Sequence, residues 1–191
     1  EDGGAVTEIL KCAFEDEIID GAAVAAPSDK TWLEPVPRVV KSVDELMQTA
    51  KSWYTYCATP LALKEAVDKH KLSKLALVGV SCEVSGYGTT FGADTSFISA
   101  ERGEKNLERQ NKHLKQYVDA VQFTIGLLCT ETFVFDGFIH EYLQEKVGIN
   151  PRDVVKVNVK GKVVTDINDG TRIETPLLEA RVYQRHQCNY C

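Results

Sequence analysis

Two short, continuous apolar runs constrain the fold of this chain more than any other feature. The first runs from Leu75 to Val80 and the second from Phe123 to Leu128. Runs of about four to eight apolar residues are typical of strands that are buried on both faces in a parallel sheet. A strand with one solvent-exposed face instead alternates polar and apolar residues. The two runs therefore predict a parallel sheet, whose strands must be joined by crossover connections that are usually helical.

A cysteine follows each of these runs, and two more close the chain. Cys82 and Cys129 stand just after the predicted strands, and Cys188-x-x-Cys191 is half of a metal or cluster motif. Ligands in open α/β sheets collect beyond the carboxyl ends of strands, so four thiolates are expected to converge there. Spacing alone leaves open that the terminal pair is half of a zinc ribbon. It also leaves Cys82 open as a nucleophile, although no histidine is placed by sequence to activate it.

Length and composition indicate a single globular domain over residues 1–191. The chain is 43% hydrophobic and 26% charged, and its formal net charge of -6 argues against sequence-independent nucleic-acid binding. It has neither a signal-peptide pattern nor an apolar stretch of the roughly 20 residues that span a bilayer, so we expect a cytoplasmic protein without membrane insertion. The six cysteines suit metal binding better than a disulfide scaffold.

The ends of the chain indicate a piece of something longer. The sequence begins at Glu1 without a methionine and stops on Cys191, a ligand-type residue. We therefore expect the domain to be truncated at both ends.

Further elements follow from periodicity and from turn residues. Apolar residues at helical spacing predict helices over 6–14, 61–70 and 138–147, with Thr59 as N-cap of the second, and Ser42-x-x-Glu45 has the form of a capping box. Strands are expected over 21–26, 154–159 and 163–167, a proline-rich loop around Pro35 and Pro37, a flexible glycine-rich insertion over 85–92 and an exposed helix over 101–115. The fold class is therefore α/β, with a mostly parallel sheet flanked by helices and an appended antiparallel β hairpin.

Gly3-Gly4 precedes the first predicted helix. Free amides and the positive end of the helix dipole form an anion site there, and glycines allow close approach. From the dipeptide alone, a simple turn is the better interpretation.

Five motifs taken together resemble the coenzyme F420 hydrogenase/dehydrogenase beta-subunit family. The resemblance covers the chain from its first glycines to its last residue. The motifs are Gly3-Gly4 before a helix, Ile18-Ile19-Asp20-Gly21-Ala22, Leu77-Val78-Gly79-Val80-Ser81-Cys82, Ile125-Gly126-Leu127-Leu128-Cys129 and Cys188-x-x-Cys191.

The resemblance implies an iron-sulfur flavoprotein domain that carries FAD and a 4Fe-4S cluster and exchanges hydride with coenzyme F420. A flavin is needed between the two, because a deazaflavin exchanges electrons in pairs and a cluster passes them singly. The implied cluster ligands are Cys82, Cys129, Cys188 and Cys191. The implied FAD-binding residues are Gly3, Gly4, Thr7, Ser52, Tyr54, Thr55, Gly79 and Ser81.

Several positions depart from the family pattern. Lys51 and Trp53 replace a small and a basic residue of the family's second flavin motif, and Glu83 stands where a glutamine is usual after the cluster cysteine. The phosphate and glutamyl tail of F420 call for basic residues, for which Arg38, Lys51 and Lys64 are nominated. Cys12 lies on the first predicted helix and Cys57 matches no family cysteine, so both are expected to be packing residues.

The predicted function is hydride transfer between F420 and FAD, with single electrons passing between FAD and the 4Fe-4S cluster. A partner catalytic subunit or domain of a larger redox complex would perform the final reaction, since no second catalytic constellation or assignable catalytic residue appears in the sequence. One alternative is a reductase of the same fold with a different donor, such as ferredoxin. The other is a non-enzymatic zinc-binding scaffold module.

Overall fold

The computed structural model describes residues 4–92 and 114–190, with side chains given outside 87–92. Its first element is helix α1, Ala5–Glu15, where helical spacing predicts it. Leu10 and Ala13 are buried on one face of α1, which packs on the first sheet.

The first sheet has four strands: β1 Gly21–Pro27, β2 Pro35–Val40, β3 Leu75–Val80 and β4 Val121–Leu127. Their order is β2-β1-β3-β4. Strands β1, β3 and β4 are parallel, while β2 is antiparallel to β1. The predicted mostly parallel sheet is therefore confirmed.

Strand β2 replaces the proline-rich loop expected from the sequence, and that prediction was wrong. Pro37 pairs with Ala25 and Pro35 with Pro27. Proline has no N–H to donate to a ladder, but an edge strand needs only one side of its backbone paired. Because β2 is the outer strand on this side of the sheet, its prolines are accommodated.

Strand β4 lies where the second apolar run predicts it, yet it is not buried on both faces. It is the outer strand on the other side of the described sheet. Phe123 and Ile125 are half-buried and alternate with exposed residues, and Leu128 is fully exposed. A continuous apolar run does not reveal how many neighbours a strand has, so the expectation of burial was wrong here.

Helices cover both faces of this sheet. On one face α1 packs against β1 and β3. On the other face lies α3, Ala62–Asp68, whose Ala62, Leu63 and Ala66 pack against the same strands. A 3₁₀ turn, Thr59–Leu61, precedes α3.

The capping residues are partly as predicted. Ser42 caps α2, Val43–Met47, by accepting a hydrogen bond from the Glu45 N–H, as the capping box indicates. The N-cap of the next turn is Ala58, so Thr59 was wrongly predicted there, and its N–H donates instead to the side chain of Glu83.

Helix α4, Ser81–Gly92, starts directly after β3. It contradicts the flexible glycine-rich insertion predicted for 85–92. Glycine costs about 1 kcal/mol in a helix interior, but the first turn of α4 is anchored through Glu83 to β3 and to the 3₁₀ turn. Most of the helix predicted over 101–115 falls outside the described residues, and residues 114–120 form helix α5.

The C-terminal part builds a second sheet. A π-helix, Asp136–Lys146, and a 3₁₀ turn, Pro151–Asp153, lead into it. Its antiparallel strands are β5 Val154–Val159, β6 Lys162–Ile167 and β7 Arg172–Pro176. The predicted hairpin is thus β5–β6, with β7 as a third strand. Helix α6, Leu177–Ala180, and 3₁₀ turns at Arg181–Tyr183 and His186–Tyr190 follow.

A second hydrophobic core, rich in aromatic residues, packs the second sheet and the π-helix against the segments around Trp32 and Tyr54. The ring of Phe133 stacks on Phe138 with centroids 4.4 Å apart, and Tyr142 continues the stack. Trp32 donates from its indole Nε1 to the carbonyl oxygen of Val154 at 3.0 Å. Within the described ranges, every helix is too short or too polar to cross a membrane.

Candidate cofactor and cluster site

The parallel pairing of β3 and β4 brings Cys82 and Cys129 to one edge of the sheet. Val80 pairs with Leu127 at the end of the ladder, and each cysteine stands two residues further on. The Ser81 hydroxyl donates to the Leu127 carbonyl at 3.2 Å, which ties the two strand ends together. Cys82 is exposed in the first turn of α4, and Cys129 is half-exposed.

The segment that carries Cys188 is attached to the turn after β4. The N–H of Val134 donates to the Tyr183 carbonyl at 2.9 Å, and the N–H of Arg185 donates to the Thr132 carbonyl at 2.9 Å. Cys188 Sγ lies 3.4 Å from Thr132 Oγ1. Three of the nominated cysteines are therefore on segments that are hydrogen-bonded neighbours at one end of the molecule.

In the part of the chain that the structure describes, the side chains of Cys82, Cys129 and Cys188 are not gathered into a metal cage. Among residues 4–92 and 114–190, no group of three or more His, Cys, Asp or Glu side chains is arranged to hold a metal ion. Cys191 lies outside those residues. In donor chemistry and in the placement of their backbone segments the cysteines fit a four-thiolate cluster, and their convergence stays a prediction.

Gly4 is the N-cap of α1 and adopts a left-handed conformation, with φ of 67°. A Cβ added to Gly4 would meet no described heavy atom within 4 Å. Packing against the described residues therefore does not require glycine here. The left-handed backbone conformation and close approach by an outside group are the two reasons that favour it. Thr7 lies in the first turn of α1, and Gly3 is outside the described residues.

The second nominated flavin segment is anchored on Phe133. The Phe133 N–H donates to the Tyr54 carbonyl at 2.8 Å, and the Tyr56 N–H donates to the Phe133 carbonyl at 3.1 Å. Thr55 Oγ1 is buried and has no hydrogen-bond partner among the described residues, a state that costs free energy unless a ligand or water satisfies it. Ser52 is half-buried.

The Trp53 indole Nε1 donates to the Trp32 carbonyl oxygen at 2.7 Å, so this side chain is held against the protein. The three cations nominated for F420 each have another partner. Arg38 pairs with Asp29, and Lys64 pairs with Asp68. The Lys51 ammonium lies 4.4 Å from the centroid of the Trp32 ring.

Glu83 was missed as a structural centre of this region. The residue is 8% exposed, and its carboxylate accepts hydrogen bonds from the backbone N–H groups of Thr59 and Val80, each at 3.1 Å. Burial raises the pKa of this carboxyl above its ordinary value. A Cβ on Gly79 would lie 2.9 Å from Glu83 Oε2, so Gly79 has an internal packing reason to be glycine besides its nominated role at FAD.

Two further side chains near Glu83, Tyr56 and Arg185, were also missed, whereas Cys57 was expected to be a packing residue. The Arg185 guanidinium stacks on Tyr56 at 3.4 Å from the ring centroid, which fixes the C-terminal segment against the segment after Tyr54. Burial raises the pKa of the Cys57 thiol to about 11, so this cysteine is a protonated packing residue at neutral pH. A pair such as Tyr56 and Arg185 leaves no signal in a single sequence, because its partners are far apart along the chain.

Both the N-terminal and the C-terminal parts of the chain match a known protein family. The family described as "Coenzyme F420 hydrogenase/dehydrogenase, beta subunit" matches in two parts, its N-terminal part at residues 1–64 and its C-terminal part at residues 72–191. This chain belongs to the coenzyme F420 hydrogenase/dehydrogenase beta-subunit family. The resemblance inferred from the five motifs is thereby confirmed.

Relatives within this beta-subunit family have several names. The coenzyme F420 hydrogenase subunit beta of Methanothermobacter thermautotrophicus is 29% identical over 194 residues, which cover 100% of this chain and 61% of that protein. The coenzyme F420-dependent sulfite reductase of Methanocaldococcus jannaschii is 34% identical over 183 residues, which cover 95% of this chain and 27% of that protein. Both relatives are therefore longer than the present chain.

A solved structure shares the fold of this beta-subunit family member. It is a chain of the F420-reducing [NiFe] hydrogenase complex from Methanosarcina barkeri, with a TM-score of 0.83 and 25% sequence identity. The match covers 100% of this chain and 59% of that chain. The described α/β architecture, with its mostly parallel sheet and its antiparallel three-stranded sheet, is thus the one found in that hydrogenase complex.

Proposed function

We propose that this chain is the cofactor-bearing domain of an F420-linked redox complex, holding FAD and one 4Fe-4S cluster and serving a separate catalytic subunit. Support comes from family membership and from relatives named as coenzyme F420 hydrogenase subunit beta and coenzyme F420-dependent sulfite reductase. The observation that carries the proposal is that Cys82 and Cys129 lie at the same edge of the first sheet. The segment that contains Cys188 is hydrogen-bonded to the residues that follow Cys129. We infer a single domain over 1–191, because β1 pairs with both β2 and β3 and so joins the regions matched separately at the two ends of the chain.

In this proposal Cys82, Cys129, Cys188 and Cys191 hold the cluster. The chain orients the first two through its β3–β4 ladder and the Ser81 hydrogen bond, and it orients Cys188 through Thr132. When bound, the flavin would accept or give hydride at F420 and exchange single electrons with the cluster.

FAD is proposed to lie against the start of α1 and the segment around Thr55. The N-cap Gly4 makes no side-chain hydrogen bond to the start of α1, and the backbone amides of a helix start favour a phosphate. The Thr55 hydroxyl has no hydrogen-bond partner among the described residues, and the backbone beside it is paired with Phe133. We propose this segment as the second place of contact. Ser52, Tyr54, Gly79 and Ser81 complete the proposed set.

Two substitutions of Gly4 distinguish its role in the backbone conformation from its proposed role in binding the FAD phosphates. Asparagine tolerates φ above zero far better than a β-branched residue does, so Gly4→Asn is expected to keep α1 and to lower FAD occupancy by obstructing the phosphates. Gly4→Val should lower both FAD occupancy and stability. Flavin released from the purified variants and their thermal unfolding would be measured together, with exposed Glu8→Gln as the control. Full flavin occupancy in Gly4→Asn would place the phosphates elsewhere.

A second candidate is a reductase with the same cofactors and a donor other than F420, such as ferredoxin. The observation that favours it is that Arg38, Lys51 and Lys64 are already engaged with Asp29, Trp32 and Asp68. An acidic ligand would have to displace these contacts.

Metal and flavin analysis of the full-length protein tests the proposal against the zinc scaffold. Anaerobic purification should yield a yellow-brown protein with about four irons and one FAD per chain in this domain. Zinc in place of iron, with no flavin, would support the scaffold and contradict the proposal.

A further inference from the structure

Thr132 lies in the turn after β4, and its side chain contacts Cys188. The Thr132 hydroxyl oxygen is 3.4 Å from Cys188 Sγ, and Thr132 is only 7% exposed. Backbone hydrogen bonds hold both sides of the contact: Arg185 N–H donates to the Thr132 carbonyl, and Cys188 N–H donates to the Arg185 carbonyl, each at 2.9 Å. The backbone therefore holds the two residues side by side, within reach of this side-chain contact.

We infer that the Thr132 hydroxyl donates a hydrogen bond to the Cys188 sulfur in the proposed cluster and raises the reduction potential of that cluster. The inference rests on the proposed function, because it needs Cys188 as a ligating thiolate. A protonated thiol could itself donate to the Thr132 carbonyl, which is 3.7 Å from Sγ. A ligating thiolate has no proton, so the hydroxyl becomes the donor and the sulfur the acceptor.

The direction of the effect follows from charge. Reduction adds one electron to the cluster, supplied by the flavin in the proposed function, without making or breaking a bond in the protein. Part of the added negative charge resides on the ligand sulfurs, so a hydrogen-bond donor stabilises the reduced state more than the oxidised state. Because Thr132 is buried, water competes little for the hydroxyl, and the low local dielectric strengthens the interaction.

The test is a redox titration of the full-length protein and its variants, with dithionite as reductant and the EPR signal of the reduced cluster as readout. Thr132→Val keeps the branched shape and removes the hydroxyl, so its midpoint potential should be lower than that of the wild type. Thr132→Ser keeps the hydroxyl and should restore the wild-type potential. Thr130→Val makes the same change at an exposed threonine in the same turn and should leave the potential unchanged.

Thr132→Ala is a second variant without the hydroxyl, and it shows whether a change in potential comes from the packing of the valine side chain. It lacks the hydroxyl as Thr132→Val does, and both variants should show a lowered potential with similar iron content. An unchanged potential in an iron-replete Thr132→Val or Thr132→Ala protein would overturn the inference and leave the cluster proposal intact. Absence of iron from the wild-type protein would instead overturn the proposed function, and the inference with it.

Discussion

Replacing Cys188 by serine is expected to abolish binding of the proposed iron-sulfur cluster. Serine is a poor ligand for cluster iron, and a 4Fe-4S centre needs four thiolates. Cys82→Ser and Cys129→Ser should lose iron as severely, because all three would ligate the same cluster. Iron content and the visible absorption of the anaerobically purified full-length proteins measure the effect.

Cys57→Ser and Cys12→Ser are the matched controls for this series. Cys57 is a half-buried thiol whose pKa is raised by burial. Cys12 is exposed on α1, so the expectation that it is a packing residue was wrong. Neither cysteine follows β3 or β4. Both variants should retain wild-type iron. Full iron in Cys82→Ser, with unfolding temperatures unchanged throughout, would remove Cys82 from the ligand set.

Phe133→Ala is expected to be the most destabilising single side-chain change in this region. Phe133 is fully buried and stacks on Phe138 at 4.4 Å. Truncation of a buried phenylalanine costs about 3–5 kcal/mol, against a total unfolding free energy of roughly 5–15 kcal/mol for a domain. The melting temperature should fall by roughly 6–20 °C.

Phe133→Ala is also expected to affect the proposed cofactor site, because the Phe133 backbone is paired with two segments of that site. Phe133 bridges to Thr55 on one side and to Gln184 on the other, so loosening it releases both the proposed flavin segment and the Cys188 segment. Flavin and iron should therefore fall together in this variant. Leu178→Ala, at a position 74% exposed, should change stability by less than about 0.5 kcal/mol. An unchanged melting temperature in Phe133→Ala would contradict the aromatic core described here.

Local patterns predicted those elements whose cause is local. The spacing of apolar residues gave α1, the capping box gave the start of α2, and alternation gave β5 and β6. The apolar runs correctly indicated parallel strands that end before Cys82 and Cys129. These features depend on residues a few positions apart, which a single sequence displays directly.

The features that the sequence did not predict depend on contacts between residues that are far apart along the chain. Pro35 and Pro37 are compatible with a strand only because β2 is an outer strand. The glycine-rich stretch after Cys82 is helical although its composition favours a loop, with its first turn held through Glu83 by Thr59 and Val80. Likewise the contact between Thr132 and Cys188 spans 56 residues and leaves no sequence pattern. The sequence therefore nominated the cysteines, whose ligation stays a prediction, but it did not reveal the side chains that contact them.

The most direct test of the account is to add reduced F420 to the full-length protein under anaerobic conditions. The absorption of the bound flavin should bleach, the EPR signal of a reduced 4Fe-4S cluster should appear, and an artificial one-electron acceptor should then be reduced. Reduced nicotinamide should produce none of these changes. Bleaching by nicotinamide and not by F420, or the absence of any bound flavin, would contradict the account.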